Sequence, residues 1–191
     1  MNLIRLKNGK IFFEIRDGFN DWVDTHKLYA YNKGKLKCVY DFHKYYEKYA
    51  YRYLVHIKKS SGNTIKTKVE AQFYTSGSIK FNMNVSYKDG EFKSTSNQYD
   101  PRYKEMYHKN KWTVNKKIKV YKKAGSKQLA YTLKKRDVVK INKVIYKNNK
   151  VYFQVKNKEG KGKTGYIPAT KNARATYDNK YKCFKEIEFF G

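Results

Sequence analysis

The sequence lacks several features that would place it in a common functional class. It contains no run of about 18 apolar residues, so we predict no membrane-spanning helix. Its two cysteines show no Cys-x-x-Cys spacing and cannot form a zinc site by themselves. Its four histidines include no pair at positions i and i+4, and no glycine-rich phosphate loop occurs. We therefore predict a protein without a metal or another cofactor.

The start of the chain, MNLIRLKNGK, also lacks the apolar centre that is typical of a signal peptide. Two interpretations stay open. The chain is either the mature form of an exported protein whose leader has been removed, or a cytoplasmic protein. An extracellular or cell-wall location is the expectation that we favour.

Acidic residues are also scarce: 16 stand against 44 lysines and arginines, which gives a net charge of +28. Residues 1–111 hold 22 basic and 11 acidic residues, or +11, and residues 112–191 hold 22 and 5, or +17. Such a field favours polyanionic partners, namely nucleic acid, an anionic lipid surface or an anionic cell-wall polymer. Because lysine dominates over arginine, diffuse attraction to a polymer is slightly favoured over base-specific recognition. The alternative is that the lysines only cover solvated strand faces.

The scarcity of proline, with two residues, and the abundance of β-branched and aromatic residues predict a mainly β fold. In residues 1–96, turns such as Asn8-Gly9 separate segments in which apolar and polar residues alternate. The clearest alternation places these side chains on one face: Ile79, Phe81, Met83, Val85 and Tyr87. We predict an antiparallel meander of about eight short strands, interrupted by a short helix that Asp41 caps.

Residues 97–111 are predicted to be a linker or a short helix between two domains. Asp100 before Pro101 is a helix start signal, and the polar composition is typical of a linker. Residues 112–168 then contain five short apolar segments separated by turns. This pattern predicts a small closed β-barrel.

The C-terminal extension, residues 169–191, is too apolar for a loose terminus. We expect part of it to pack as a strand or a cover that bridges the two domains. A disulfide between Cys38 and Cys183 would tie this extension to the first domain, although two buried free thiols are the favoured alternative.

The barrel segment carries a resemblance to a known family. Its motifs are Val120-Tyr121, Leu133, residues 151–155 and Gly162-Lys163-Thr164-Gly165-Tyr166-Ile167. Over about residues 117–168 they resemble bacterial SH3-like (SH3b) domains, with Arg136 where that family usually has a glycine. The resemblance implies an SH3-like β-barrel of a secreted or wall-associated protein, with an aromatic ligand groove between loops. We note no resemblance for residues 1–96.

Tyrosines interleaved with lysines mark the candidate ligand site. On most strands this pattern means that tyrosine faces the core while lysine faces water, but aromatic rings beside lysines also suit a glycan or a single-stranded nucleic acid. By analogy with SH3-like folds, we predict these ligand-binding residues on the barrel: Tyr121, Lys122, Lys123, Tyr131, Lys134, Lys135, Tyr146, Tyr152, Lys163 and Tyr166.

Catalysis is poorly supported by the sequence. Cys38, Asp41 and His43 could form a thiol-hydrolase site, since a nucleophile needs a nearby base. However, Cys38 shares a predicted strand face with Leu36 and Tyr40, which favours a core position. Three aspartates could hold calcium but lack the EF-hand order, so turn formation is the favoured alternative: Asp17, Asp21 and Asp24.

The sequence therefore predicts a non-enzymatic, exported bacterial cell-surface or cell-wall binding module. Its partner would be an anionic polymer, such as a wall glycopolymer or peptidoglycan, or a wall peptide. Two alternatives stay open: an intracellular nucleic-acid-binding protein and a protein-interaction module.

Overall fold

Alternating apolar and polar residues form fifteen strands in the part of the chain that the structure describes. The computed structural model describes residues 2–18, 25–46, 50, 52–73, 75–106, 108–157, 162–169 and 182–187. The elements are β1 (Asn2–Arg5), β2 (Ile11–Asp17), β3 (Thr25–Asn32), β4 (Lys35–Asp41), helix α1 (Phe42–Tyr46), β5 (Arg52–Ser61), β6 (Thr64–Phe73), β7 (Gly77–Lys88), β8 (Glu91–Ser94), β9 (Gln98–Tyr99), a 3-10 helix (Tyr103–Glu105), β10 (Trp112–Thr113), β11 (Ile118–Tyr121), β12 (Leu129–Leu133), β13 (Val138–Lys147), β14 (Lys150–Asn157) and β15 (Thr164–Ala169). The mainly β prediction is confirmed.

The eight strands of the first half form two antiparallel sheets, β1-β2-β3-β4 and β5-β6-β7-β8, rather than one. The helix α1 separates them. Asp41 caps this helix as predicted, because its Oδ1 accepts a hydrogen bond of 2.9 Å from the Lys44 backbone N–H. The cap ends β4 and redirects the chain, so β5 begins a new sheet.

A β-bulge in the first sheet overturns the predicted face of β4. Leu28 pairs with Tyr40 but Tyr29 pairs with Cys38, so Val39 is the extra residue. As a result Val39 is buried, whereas Leu36 and Cys38 are exposed. The prediction that Cys38 lies in the core is therefore wrong.

The third sheet has the strand order β10-β13-β14-β15-β11-β12, with β9 paired to β13. It contains all five strands that were predicted for residues 112–168. Among the described residues these ladders form a path with two ends, β10 and β12, so a closed SH3-like barrel stays a prediction. Arg136, in the turn before β13, adopts a φ of 78°, a left-handed conformation that costs glycine less than arginine.

The described residues of segment 97–111 contain the 3-10 helix Tyr103–Glu105 and pack against both halves. Tyr99 of β9 is buried and stacks on Phe81 of β7, with ring centroids 5.1 Å apart. The side chain of Asn110 is also buried, and it bonds to the backbone of Ile141 in β13.

One hydrophobic core extends through all three sheets. The ring of Phe73 on β6 contacts that of Phe153 on β14, at a centroid distance of 5.2 Å. Residues 182–187 pack between the halves: the Cys183 backbone N–H donates to Thr75, and its carbonyl accepts from Asn115. The rest of the predicted cover, residues 170–181 and 188–191, lies outside the described residues.

The two cysteines are free, so the alternative of a disulfide is wrong; Cys38 is exposed and Cys183 is half-buried. Burial raises the pKa of the Cys183 thiol. In the described part of the chain no helix is long and apolar enough to cross a membrane.

Candidate binding surface

Three tyrosines share the outer surface of the third sheet. On β14, Tyr152 alternates with buried Val151 and Phe153, and therefore faces outward. Tyr166 does the same on β15, and it lies directly opposite Tyr121 of β11. All three side chains are half-buried, which leaves part of each ring open to solvent. We call this group, Tyr121, Tyr152 and Tyr166, the tyrosine face.

The rings of the tyrosine face are held by their neighbours. Gln154 Nε2 donates a 2.9 Å hydrogen bond to the Tyr166 hydroxyl. Tyr152 lies against the loop at residues 122–128, since a Cβ added to Gly125 would stand 3.4 Å from its hydroxyl. Gly125 has a φ of 80°, a turn conformation that favours glycine at this position.

A shallow cleft of about 280 Å³ lies beside Tyr121. Lys119, Ser126, Lys127 and Leu129 form its other walls. The cleft thus combines an aromatic ring, an exposed leucine and two ammonium groups. This combination suits a ligand with an apolar ring surface and an anionic substituent.

The lysines around this surface have few acidic neighbours. In the described part of residues 112–187 the acidic residues are Asp137 and Glu186, and both bind backbone groups. Asp137 accepts a hydrogen bond of 2.8 Å from the Lys134 N–H, and Glu186 accepts one of 2.6 Å from the Thr113 N–H. The one ion pair that we find there joins Lys143 to Asp100 at 2.7 Å. The surface potential is therefore strongly positive.

The predicted ligand-binding lysines are all exposed: Lys122, Lys123, Lys134, Lys135 and Lys163. Lys122 and Lys123 belong to the loop that contacts Tyr152. Lys134 and Lys135 follow the other end of β12. Because this strand has five residues, the two lysines lie roughly 16 Å from the loop at residues 122–128.

Two predicted tyrosines have other roles. Tyr131 links β12 to the end of the loop before β15, because its hydroxyl donates to the Lys163 carbonyl at 3.0 Å, and burial raises its pKa to about 12.

The prediction that Tyr146 is exposed is wrong. Tyr146 is buried against Tyr45 and Tyr99, with ring centroids at 5.9 and 5.4 Å. A bulge between Ile141 and Lys143 changes the alternation of β13 and turns this ring inward.

Sequence reasoning missed Lys127 and Leu129, which line the cleft with Tyr121 and Lys119. Lys119 belongs to a lysine cluster that the sequence predicts to attract the polymer, and it stands two residues from Tyr121 on one strand, as period-two alternation requires for a shared face. The positions of Lys127 and Leu129 depend on the path of the loop at residues 122–128, which no local pattern specifies.

The structure describes the three residues that were considered for a thiol-hydrolase site, Cys38, Asp41 and His43. Asp41 caps α1, His43 Nδ1 bonds the Tyr53 hydroxyl at 3.1 Å, and the Cys38 thiol contacts the Tyr40 carbonyl. These three candidates therefore have separate partners. Among the described residues no three His, Cys, Asp or Glu side chains could hold a metal ion.

A buried pair joins Glu14 and His26 inside the first sheet. Their Oε1 and Nε2 atoms lie 2.8 Å apart, and Asn2 donates to the other carboxylate oxygen at 3.1 Å. The hydrogen bond from His26 lowers the pKa of Glu14, against the opposing effect of burial. His26 also packs on the Phe42 ring. We interpret the pair as structural.

The three aspartates for which turn formation was favoured over calcium binding are described only in part. Asp17 is exposed, and its Oδ1 accepts a 2.9 Å hydrogen bond from the Gly18 N–H, as a turn-forming aspartate does. Asp21 and Asp24 lie outside the described residues.

The tyrosine face and its lysines are thus the arrangement in residues 112–169 that is best suited to a ligand. The resemblance to SH3b domains stays a prediction. Comparison with models of protein families, with curated proteins and with solved structures finds no match for this chain.

Proposed function

We propose that the protein is a non-catalytic binding module that holds an anionic polymer on the tyrosine face. The observation that carries this proposal is the position of Tyr121, Tyr152 and Tyr166 on one sheet surface whose exposed lysines have few acidic neighbours. Lysines attract the polymer over a distance of about one Debye length, roughly 8–10 Å at moderate salt. The tyrosines then contact the repeating unit directly.

A glycopolymer of the bacterial cell wall is the polymer class that we favour. Sugar rings present C–H groups that pack on partly open aromatic rings, and phosphate or carboxylate substituents pair with lysines such as Lys119 and Lys127. Lysine binds such anions as a point charge without a fixed geometry, which fits a flexible repeating chain. In this proposal the protein is exported and acts at the cell surface.

Single-stranded nucleic acid is the second candidate, since aromatic rings beside basic residues also bind unpaired bases. Both candidates use the tyrosine face, so they differ in the ligand and not in the residues. Separate binding measurements with each ligand therefore decide between them.

The test is sedimentation of the full chain with purified bacterial cell walls, before and after removal of their anionic glycopolymers, at low and high salt. We expect binding to intact walls that weakens steeply with salt and is mostly lost with stripped walls. The variant Tyr121→Ala/Tyr166→Ala keeps the net charge, and we expect it to bind at least roughly tenfold more weakly. Tyr103→Ala is the matched control, because Tyr103 is an exposed tyrosine outside the tyrosine face.

Binding that is unchanged by salt, or equal for the double variant and the wild type, would contradict the proposal. Tight, sequence-dependent binding of single-stranded RNA in a filter assay would replace the polymer class by nucleic acid. Weak and uniform RNA binding is expected from charge alone.

A further inference from the structure

Much of the outer surface of the first sheet is apolar, which is unusual for an antiparallel sheet with one face on the core. The second sheet shows the ordinary arrangement: β7 buries Ile79, Phe81 and Met83 and turns polar residues such as Asn82 outward. Strand formation does not require apolar residues on the outer face, as the second sheet shows. The apolar residues on the outer face of the first sheet therefore indicate a further role.

Two cross-strand rows make up this apolar surface. In the first row Leu3 pairs with Phe13, Phe13 with Tyr29, and Tyr29 with Cys38. In the second row Arg5 pairs with Ile11, and Tyr31 pairs with Leu36. Ile11 and Tyr31 are neighbours, since each lies one residue beyond the Phe12–Ala30 pair. We call the large exposed apolar residues of these rows, Leu3, Ile11, Tyr31 and Leu36, the docking face.

The docking face concentrates the exposed apolar side chains of the protein. Its four residues are 66%, 49%, 62% and 54% exposed in the order given, and only Tyr103 and Leu129 join them among large exposed apolar residues in the described chain. Four strands about 4.8 Å apart and two residue rows about 6.8 Å apart give an area of roughly 260 Å². Single exposed apolar residues are normal on a protein surface, whereas their concentration on one face marks a candidate interaction site.

A cavity of about 390 Å³ opens at the edge of the docking face, between the first and second sheets. Its apolar floor is formed by Phe12, Val39 and Tyr87. Its mouth carries Ile11 and Tyr31, together with two basic residues, Lys10 and Lys37. The Lys10 ammonium lies 4.8 Å from the centre of the Tyr87 ring.

We propose that the docking face binds an acidic segment of a partner protein. One large apolar side chain of that segment enters the cavity, and further apolar side chains lie on Ile11, Tyr31 and Leu36. Its carboxylates pair with Lys10 and Lys37. An apolar centre with an anchor pocket and a charged rim is the arrangement of protein interfaces.

The net positive charge of the chain favours an acidic partner. A second copy of this chain would bring another net charge of +28 to the contact, and the resulting repulsion opposes a homodimer. A lipid surface also matches the charge, and vesicle binding is therefore tested as a competing outcome. An acidic segment matches both the charge and the cavity.

The experiment uses the full chain and a fluorescein-labelled peptide that alternates glutamate with leucine and has one central phenylalanine. A second peptide has serine at every apolar position and the same charge. Fluorescence anisotropy at moderate salt gives both affinities. We expect the apolar peptide to bind at least about tenfold more tightly, because charge alone attracts both peptides equally.

The variant Tyr31→Ser/Leu36→Ser is expected to remove this difference while leaving the affinity for the serine peptide unchanged. Leu129→Ser is the matched control, since Leu129 is similarly exposed on the third sheet. Lys10→Ser/Lys37→Ser should weaken binding of the apolar peptide and reduce its salt dependence. The tyrosine-face variant should bind both peptides as the wild type does.

Equal affinities for the two peptides, or a Tyr31→Ser/Leu36→Ser variant that discriminates as well as the wild type, would refute the proposal. Sedimentation velocity and flotation with phosphatidylglycerol vesicles test the other occupants. A dimer that Tyr31→Ser/Leu36→Ser abolishes would show that the surface binds a second copy of the chain. Vesicle binding at high salt that this variant abolishes would show that the surface binds lipid. Either result would refute the proposal of an acidic protein partner.

Discussion

Replacing the buried Asn110 by alanine should cost more stability than any other single loss of a polar side chain that we consider. Asn110 Nδ2 donates to the Ile141 carbonyl at 3.2 Å, and its Oδ1 accepts from the Ile141 N–H and the Trp112 indole N–H, both at 2.9 Å. The side chain thus pairs both backbone groups of Ile141 beside the bulge of β13. In Asn110→Ala these buried groups have no partner.

The magnitude follows from these three bonds and from the backbone. Each lost hydrogen bond costs about 1 kcal/mol, and buried groups left unpaired push the cost upward. Asn110 also has a φ of 60°, where alanine costs about 1 kcal/mol more than asparagine. We therefore expect a loss of about 4 kcal/mol in the free energy of unfolding.

Asn148→Ala is the matched control. Asn148 has a φ of 50° in the exposed turn between β13 and β14, so its replacement costs only the backbone contribution of about 1 kcal/mol. Urea unfolding of both variants, followed by fluorescence and circular dichroism, gives the difference directly. A difference below about 0.5 kcal/mol would mean that the three hydrogen bonds do not stabilise the fold, and would refute the reasoning.

Three further predictions concern stability. Because the pKa of Glu14 is lowered from 4.5, its pair with His26 stabilises the fold above pH 4.5, and this contribution is lost as the pH falls through the pKa of the folded state. Glu14→Gln should therefore flatten the decline in urea midpoint between about pH 5 and pH 3. An unchanged decline would contradict this. Arg136→Gly should raise the free energy of unfolding by up to about 1 kcal/mol, since the φ of 78° is unfavourable for arginine, and a lower value would show that the arginine side chain stabilises the turn. Gly165→Ala should lower the free energy of unfolding by about 2 kcal/mol, because the added Cβ would overlap Val120 and lie 3.0 Å from the Tyr121 carbonyl oxygen; thermal unfolding with no shift would refute this.

Local patterns predicted the strands well because each strand buries one face on its own. Period-two alternation identified the inner side chains of β7, and an aspartate before apolar residues identified the start of α1. Analogy with SH3-like folds, and not alternation, predicted exposed rings at Tyr121, Tyr152 and Tyr166, where each side chain is half-buried and partly open.

The errors arose where one residue changes the alternation or where distant segments meet. Each bulge adds a residue, so Cys38 became exposed and Tyr146 became buried, against the pattern of their strands. Asn110 looked like part of a polar linker because its partners lie 31 residues away in the sequence. The apolar residues on the outer surface of the first sheet were also missed. Period-two alternation identifies the face of a strand that is buried, and it does not predict that the outward face is apolar as well.

The core that runs through all three sheets has a consequence for how this protein can be reused. Many binding modules can be moved between proteins as self-contained pieces. A fragment containing only residues 112–169 would leave Phe153 without Phe73 and would remove Asn110 and the segment 182–187. The whole chain is therefore the transferable unit. Ligands on the tyrosine face and on the docking face would be held at a fixed distance and orientation, as by a rigid adaptor.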